Sequence, residues 1–276
     1  RQMCIRDSQR TINLNKHMTE GMRFRNKLAY DLIRGIPQMV GLRTQFVHLY
    51  VKDNTEESGG KFEDYGIYTQ VEQLNKTALK SHGLDSNGQL YKINSFEFYR
   101  YEDIIKKEDD AGYDKTAFEK MLEIKGDSDH TKLIDMLTDL NDYSIGIEDV
   151  LKEHFDEENI VYWMAFQILM GNVDTQNRNV YLYSPLNSDI WYFIAWDNDG
   201  CLMRPEYELR NFSDQNSWEK GISNYWGNIL FQRCLKSRSF REKLNDAILD
   251  LREYLNKDML TSKIESYKNV LKPYLY

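Results

Sequence analysis

Residues Gly171–Gly200 read GNVDTQNRNVYLYSPLNSDIWYFIAWDNDG. Two runs rich in β-branched and aromatic residues, Val180–Tyr183 and Ile190–Ala195, flank the turn-rich SPLNSD, and this pattern predicts an antiparallel hairpin. A hairpin returns the chain to its starting edge. Asp174 and Asn179, just before the first strand, are therefore expected beside Asp197 and Asp199, just after the second. The stretch holds no histidine or cysteine, so the cluster is one of oxygen ligands. Oxygen ligands suit a hard cation, Mg2+ or Mn2+, and disfavour zinc.

The order of these residues follows a scheme known from phosphoryl transfer. A loop Asp is followed five residues later by a metal-binding Asn, and a later Asp before a Gly binds the metal that bridges the phosphates. Asp174 and Asn179 keep that spacing. Asp174 is the candidate for orienting or deprotonating an attacking hydroxyl, and Asn179, Asp197 and Asp199 are the candidate metal ligands. Counting back by twos from Asp197 puts Ala195, Phe193 and Trp191 on one strand face. Trp191 is then either the floor of an adenine pocket or ordinary core.

The 276 residues, 41% of them hydrophobic and 13% aromatic, can fill a substantial core. A net charge of -8 lacks the basic footprint of a nucleic-acid binder. No apolar run reaches the ~18 residues of a membrane span. The three cysteines are scattered and fit neither a disulfide framework nor a zinc site. The opening RQMCIRDS matches neither an initiator methionine nor a signal peptide and reads as a non-native start. No export signal is therefore read in this chain, and a truncated N-terminus is expected.

Along the chain, Gly21–Arg34 has apolar residues at helical spacing, and Thr44–Val51 and Tyr65–Val71 read as two strands joined by a long loop. Gln89–Asn94 is a third strand after the turn signal DSNG, and Glu102–Asp114 is a solvated loop. Helices are expected over His130–Leu140, Ile147–His154 and Asp156–Met170, the last capped by Asp156, and again beyond Trp218. The stripe Tyr162, Phe166 and Leu169 is expected to face the core. The fold class is α+β, with a small antiparallel β-rich lobe over 10–100, a mainly helical lobe over 101–276 that carries the hairpin, and 1–9 set aside.

At these residues the sequence resembles the CotH kinase family, atypical protein kinases associated with bacterial spore coats. The pieces that carry the resemblance are RTINLNKH at Arg10–His17, FRNKLAYDLIR at Phe24–Arg34, LRTQFVHLYV at Leu42–Val51, YGIYTQVE at Tyr65–Glu72, LYK at Leu90–Lys92, GNVDTQNRNVYLY and WYFIAWDND. The resemblance implies a two-lobed protein-kinase-like fold, ATP with a divalent metal, and phosphorylation of Ser or Thr on surface or spore-coat proteins. It implies a spore-coat, envelope or extracellular setting. It also puts the catalytic Asp on Asp174, the loop Asn on Asn179 and the metal-binding Asp on Asp197, with Asp199 the second acid of the same pattern.

The usual Arg-His after the loop Asp is Thr175-Gln176 here, and no Gly-rich phosphate loop is present. Lys92, in the third strand, is either a candidate for the cation on the phosphates or a solvated or structural lysine, and Arg25 and Lys27 on the early helix are other candidates. Tyr91, beside Lys92, and Glu72, at a strand end, complete the candidate nucleotide contacts. Two other readings stay open: a catalytically weak relative acting as an interaction module, and a metal-dependent phosphoesterase that uses the same acids on water.

Overall fold

The computed structural model describes residues 11–16, 24–55, 60–172, 174–202, 225 and 227–274. The start set aside over 1–9 lies outside them, as does most of the stretch just after Trp218. In chain order the elements are β1 (Asn13–Asn15), α1 (Arg25–Ile33), β2 (Thr44–Lys52), β3 (Phe62–Val71), α2 (Lys76–Ser81), β4 (Gln89–Ile93), α3 (Lys115–Met121), β5 (Leu122–Ile124), α4 (Thr131–Asn141), α5 (Ile147–His154), α6 (Glu157–Leu169), β6 (Val180–Ser184) and β7 (Tyr192–Ala195). Three helices follow: α7 (Ile229–Lys236), α8 (Arg238–Tyr254) and α9 (Lys257–Leu271).

The strands form two antiparallel sheets, ordered β1-β3-β2 and β5-β4-β6-β7. In the first, Thr44 pairs with Val71 and Lys52 with Phe62, with a register shift at Leu49/Tyr50. In the second, Val180 pairs with Ala195 and Tyr183 with Tyr192, so the expected hairpin is present. It is not a lone pair of strands among helices. β4 runs beside β6, with Lys92 opposite Tyr181, and β5 beside β4. The strand at Gln89 thus belongs with the hairpin rather than with the first sheet.

The second sheet is buried on both faces, which is why β6 shows no polar alternation. Val180, Leu182, Phe193 and Ala195 face the large helical core, with Trp163, Phe166 and Phe231. Leu90, Tyr181, Tyr183 and Ile194 face a smaller cluster made with Tyr30, Leu42, Val71 and the α2 residues Ala78 and Leu79. Tyr30 and the end of the first sheet therefore sit over one face, and the helices, with Leu28, Ala29, Leu32 and Ile33 of α1, belong to the core on the other. The outcome is a small antiparallel N-terminal sheet followed by a mainly helical part, the α+β two-lobed outline expected.

Local chemistry explains the helix limits. Asp156 Oδ1 accepts from the Asn159 amide at 2.9 Å and caps α6, whose first turn holds Glu157 and Glu158. Of the expected stripe Phe166 is buried, while Tyr162 and Leu169 are half-buried against the core; Trp163, Met164 and Ala165 are buried as well, because α6 is a central helix with apolar neighbours nearly all round. Phe240, Leu244, Ala247 and Leu251 recur at helical spacing on α8 and are all buried in that core.

Candidate active site

The loop between α6 and β6 and the turn after β7 meet at one end of the hairpin. Asn179 Nδ2 donates to Asp174 Oδ2 at 2.9 Å. The Asp174 amide donates to Asn172 Oδ1 at 3.2 Å, and Asn172 Nδ2 donates to Gln167 Oε1 at 2.9 Å, which ties the loop to the last turn of α6. Asn177 Nδ2 donates to Glu97 Oε1 at 2.7 Å, and Asn228 Nδ2 to the Gln176 carbonyl at 2.8 Å. Three separate chain segments therefore fix the loop that carries Asp174. Thr175 is buried and Gln176 gives its carbonyl to Asn228, so the pair standing in place of Arg-His serves the loop's own packing.

Asn179 (φ 57°) and Asp197 (φ 48°) both adopt left-handed backbone conformations. Asn and Asp tolerate that region better than other non-glycine residues, and the strain is held by surrounding contacts. The Trp196 amide donates to the Asn179 carbonyl at 3.2 Å and joins the two residues' segments. Gly200, at the end of the short 3-10 turn Asn198–Gly200, lies so close to the loop that an added Cβ would sit 2.5 Å from Asn172 Oδ1 and 3.2 Å from Asp174 Cβ.

Burial, with the charges of Asp199 and Asp174 and against the pull of Lys92, raises the Asp197 carboxyl to about 6. The three acids and Lys92 thus share one electrostatic environment with an excess of negative charge. Among the described residues, no group of three or more His, Cys, Asp or Glu side chains is set to hold a metal ion. A magnesium site needs no such group, because this ion uses one or two carboxylates with waters and phosphate oxygens. The donor set of Asp197, Asn179 and neighbouring acids fits that cation. Arg178 pairs with Asp174 across 3.7 Å at the surface, where such pairs contribute little.

The expected nucleotide contacts divide. Lys92, opposite Tyr181 and Glu123 in the sheet, is part-buried and acts on Asp197. Trp191 and Tyr91 are different: both are 0% exposed, their rings lie 6.0 Å apart, and the Tyr91 hydroxyl meets His130 Nδ1 at 2.7 Å. The strand rule put Trp191, Phe193 and Ala195 on one face correctly, but that face is covered by helices. Neither aromatic offers a ring to a ligand.

Glu72 is consumed by a network in which Arg43 Nε donates at 3.0 Å, the Arg43 amide at 3.1 Å, and His82 Nε2 lies 2.8 Å away. Lys27 is fixed as well, with its ammonium 2.7 Å from Asp31 Oδ2 and between the rings of Phe46 and Tyr267. Two grooves open elsewhere. One of about 510 Å3 is lined by Met39, Asp85, Tyr183 and Tyr192 at the turn end of the hairpin, opposite to the acids. Another of about 550 Å3 is lined by Arg34, Arg43 and His82. Neither includes Asp174, Asn179 or Asp197.

Two residues of α1 also reach the site. Tyr30 Oη accepts from the Asp197 amide at 2.9 Å, and Asn26 Oδ1 accepts from the Asn198 amide at 3.0 Å. The sequence reading gave them no role, although their spacing of four on a helix puts them on one face.

No curated protein matches the chain. A family model described as CotH kinase protein matches residues 3–276, nearly the whole length, and includes every residue discussed above. The chain belongs to the CotH kinase family.

Proposed function

We propose that the chain is a Mg2+- and ATP-dependent protein kinase that transfers the γ-phosphoryl group to Ser or Thr hydroxyls of surface or spore-coat proteins, in an envelope, spore-coat or extracellular setting. The observation that carries the reading is the 2.9 Å bond from Asn179 to Asp174 beside the raised carboxyl of Asp197. It joins a positioned acid, an amide and a cation-seeking acid at one hairpin end.

In this reading Asp174 accepts a hydrogen bond from the acceptor hydroxyl and takes its proton as the new P–O bond forms, while the bond from the γ-phosphorus to the β–γ bridging oxygen breaks and ADP leaves. The Asn179 amide nitrogen restrains Oδ2 of Asp174, while Oδ1, which meets Arg178 at 3.7 Å in an exposed pair, is the oxygen offered to the acceptor. The amide oxygen of Asn179 and the Asp197 carboxylate are the ligands offered to the cation, and Lys92 is the charge offered to the phosphates. A bound magnesium would supply neutralisation of phosphate charge.

The test is incubation of the full chain with γ-labelled ATP, MgCl2 and a Ser/Thr-rich acceptor protein, alongside Asp174→Ala. Label transfer that Asp174→Ala abolishes supports the kinase. Free phosphate without labelled protein favours a phosphoesterase. A second reading, a catalytically weak relative that binds nucleotide without transfer, draws on Thr175-Gln176, which stand where Arg-His is usual and serve the loop's own packing. It predicts Mg2+-dependent ATP binding with no label transferred.

A further inference from the structure

The backbone that aims Asp197 is held from outside its own hairpin. Asp197 has φ 48°, and no side-chain cap bond supports the 3-10 turn that follows it. Its amide and the next one, of Asn198, donate instead to Tyr30 Oη and Asn26 Oδ1 on α1, at 2.9 and 3.0 Å. Both acceptors are buried, Tyr30 1% and Asn26 0% exposed, so water does not substitute for them easily. The two bonds join residues 167 and 172 positions apart in the chain.

α1 is itself anchored on its other side. Asp31 accepts from Lys27 at 2.7 Å, from Thr44 Oγ1 at 2.8 Å and from Tyr267 Oη at 2.5 Å, and Tyr254 Oη donates to the Leu32 carbonyl at 3.0 Å. One face of the helix thus grips β2 and the C-terminal helices, and the face with Asn26 and Tyr30 grips the turn of Asp197. A left-handed residue whose amide is fixed keeps the direction of its Cα–Cβ bond, from which the carboxylate projects, since the φ/ψ basin is small.

We propose that Asn26 and Tyr30 are positioning residues that set the direction of the Asp197 carboxylate and thereby the magnesium requirement of nucleotide binding. The proposal rests on the kinase reading above and extends its machinery to α1. Groups that hydrogen-bond around a metal site without touching the metal commonly govern its affinity by 10–100-fold. Loss of either acceptor leaves a buried amide unpaired next to Asp197, and the turn relaxes away from the left-handed conformation.

The experiment measures the MgCl2 midpoint for ATP binding by isothermal titration, at a temperature where every protein used is folded. The proteins are the full chain, Tyr30→Phe, Asn26→Ala and Tyr254→Phe. Tyr254→Phe removes a hydroxyl from the anchoring side of α1 and controls for loss of stability alone. The expected result is a midpoint raised about tenfold in Tyr30→Phe and in Asn26→Ala, with that of Tyr254→Phe unchanged. Asn26→Ala carries the test by itself if Tyr30→Phe does not fold.

Wild-type midpoints in both variants, or an equal rise in Tyr254→Phe, would overturn the positioning role and leave the kinase reading standing. A wild-type chain that binds no ATP at any MgCl2 concentration would overturn the nucleotide reading, and this inference with it.

Discussion

The side-chain nitrogen of Asn179 lies 2.9 Å from a carboxylate oxygen of Asp174, with Asn179 in a left-handed backbone conformation. This bond locks the two residues five apart into one unit. The amide cannot turn to satisfy another partner without releasing the acid, so the aim of Asp174 depends on Asn179.

Asn179→Gly and Asn179→Ala therefore separate aim from strain. Glycine enters the left-handed region without penalty, whereas alanine costs about 1 kcal/mol there. Both variants are expected to lose at least ~100-fold in the proposed phosphoryl transfer, consistent with loss of a group acting on the aspartate proposed as its base. Only the alanine variant should show the added drop in unfolding free energy in denaturant melts. Full transfer by Asn179→Gly would sink the unit.

Gly200 tests the closeness of the metal turn to the loop. A methyl group at this position meets Asn172 Oδ1 at 2.5 Å and Asp174 Cβ at 3.2 Å. Relief requires the two segments to part. Gly200→Ala should be destabilised by about 1–3 kcal/mol, the usual cost of overpacking, and transfer activity should fall in the protein that remains folded. Unaltered melting and activity together would mean that the turn and the loop do not touch.

Glu72 gives a pH dependence. Burial works to raise its carboxyl, but hydrogen bonds from His82 and Arg43 overcome this and hold it at about 2, below the ordinary 4.5. A depressed carboxyl stabilises the fold above its unfolded value and loses that contribution as pH falls toward the folded one. Wild type should therefore exceed Glu72→Gln by up to about 3 kcal/mol at neutral pH, with the gap closing between pH 4.5 and 2. Urea unfolding at pH 7, 4 and 3 reads this directly. A gap independent of pH would place its cause outside the carboxylate.

The buried Lys27–Asp31 pair predicts non-additivity. Asp31→Ala leaves the Lys27 ammonium buried, at 7% exposure, with only Thr44 Oγ1 at 3.2 Å and two aromatic faces. Breaking one side of a buried pair costs about 3–5 kcal/mol, whereas replacing both partners by apolar residues is often nearly neutral. The double variant Lys27→Met/Asp31→Leu should accordingly be more stable than Asp31→Ala alone. A double variant that is the less stable of the two would contradict the pairing.

How much of this was legible depends on the range of the signal. The hairpin was readable because β-branched and aromatic runs flank a turn, and α5 because its apolar positions repeat helically over Ile147–His154. β1 and β5 are three residues each, too short for any period, and their partners β3 and β4 are found only through pairing over long chain distances. Trp191 shows the limit of a local rule: alternation gives the face but not what covers it, and here both faces are covered. The partners of Glu72 and Lys27 were not legible, because Arg43, His82, Phe46 and Tyr267 come from other elements. Asn26 and Tyr30 were missed for the same reason, since nothing local says that a helix near the start reaches a turn near residue 197.

A thermal-shift titration with ATP, with and without MgCl2, on the full chain and on Asp197→Ala reads out the metal-dependent nucleotide site proposed at Asp197 and its neighbours. A ligand that binds only the folded state raises its melting temperature as its concentration exceeds the dissociation constant. The melting temperature should rise only when ATP, MgCl2 and Asp197 are present together. A rise of equal size in Asp197→Ala, or none in the wild type at millimolar ATP and MgCl2, would contradict it.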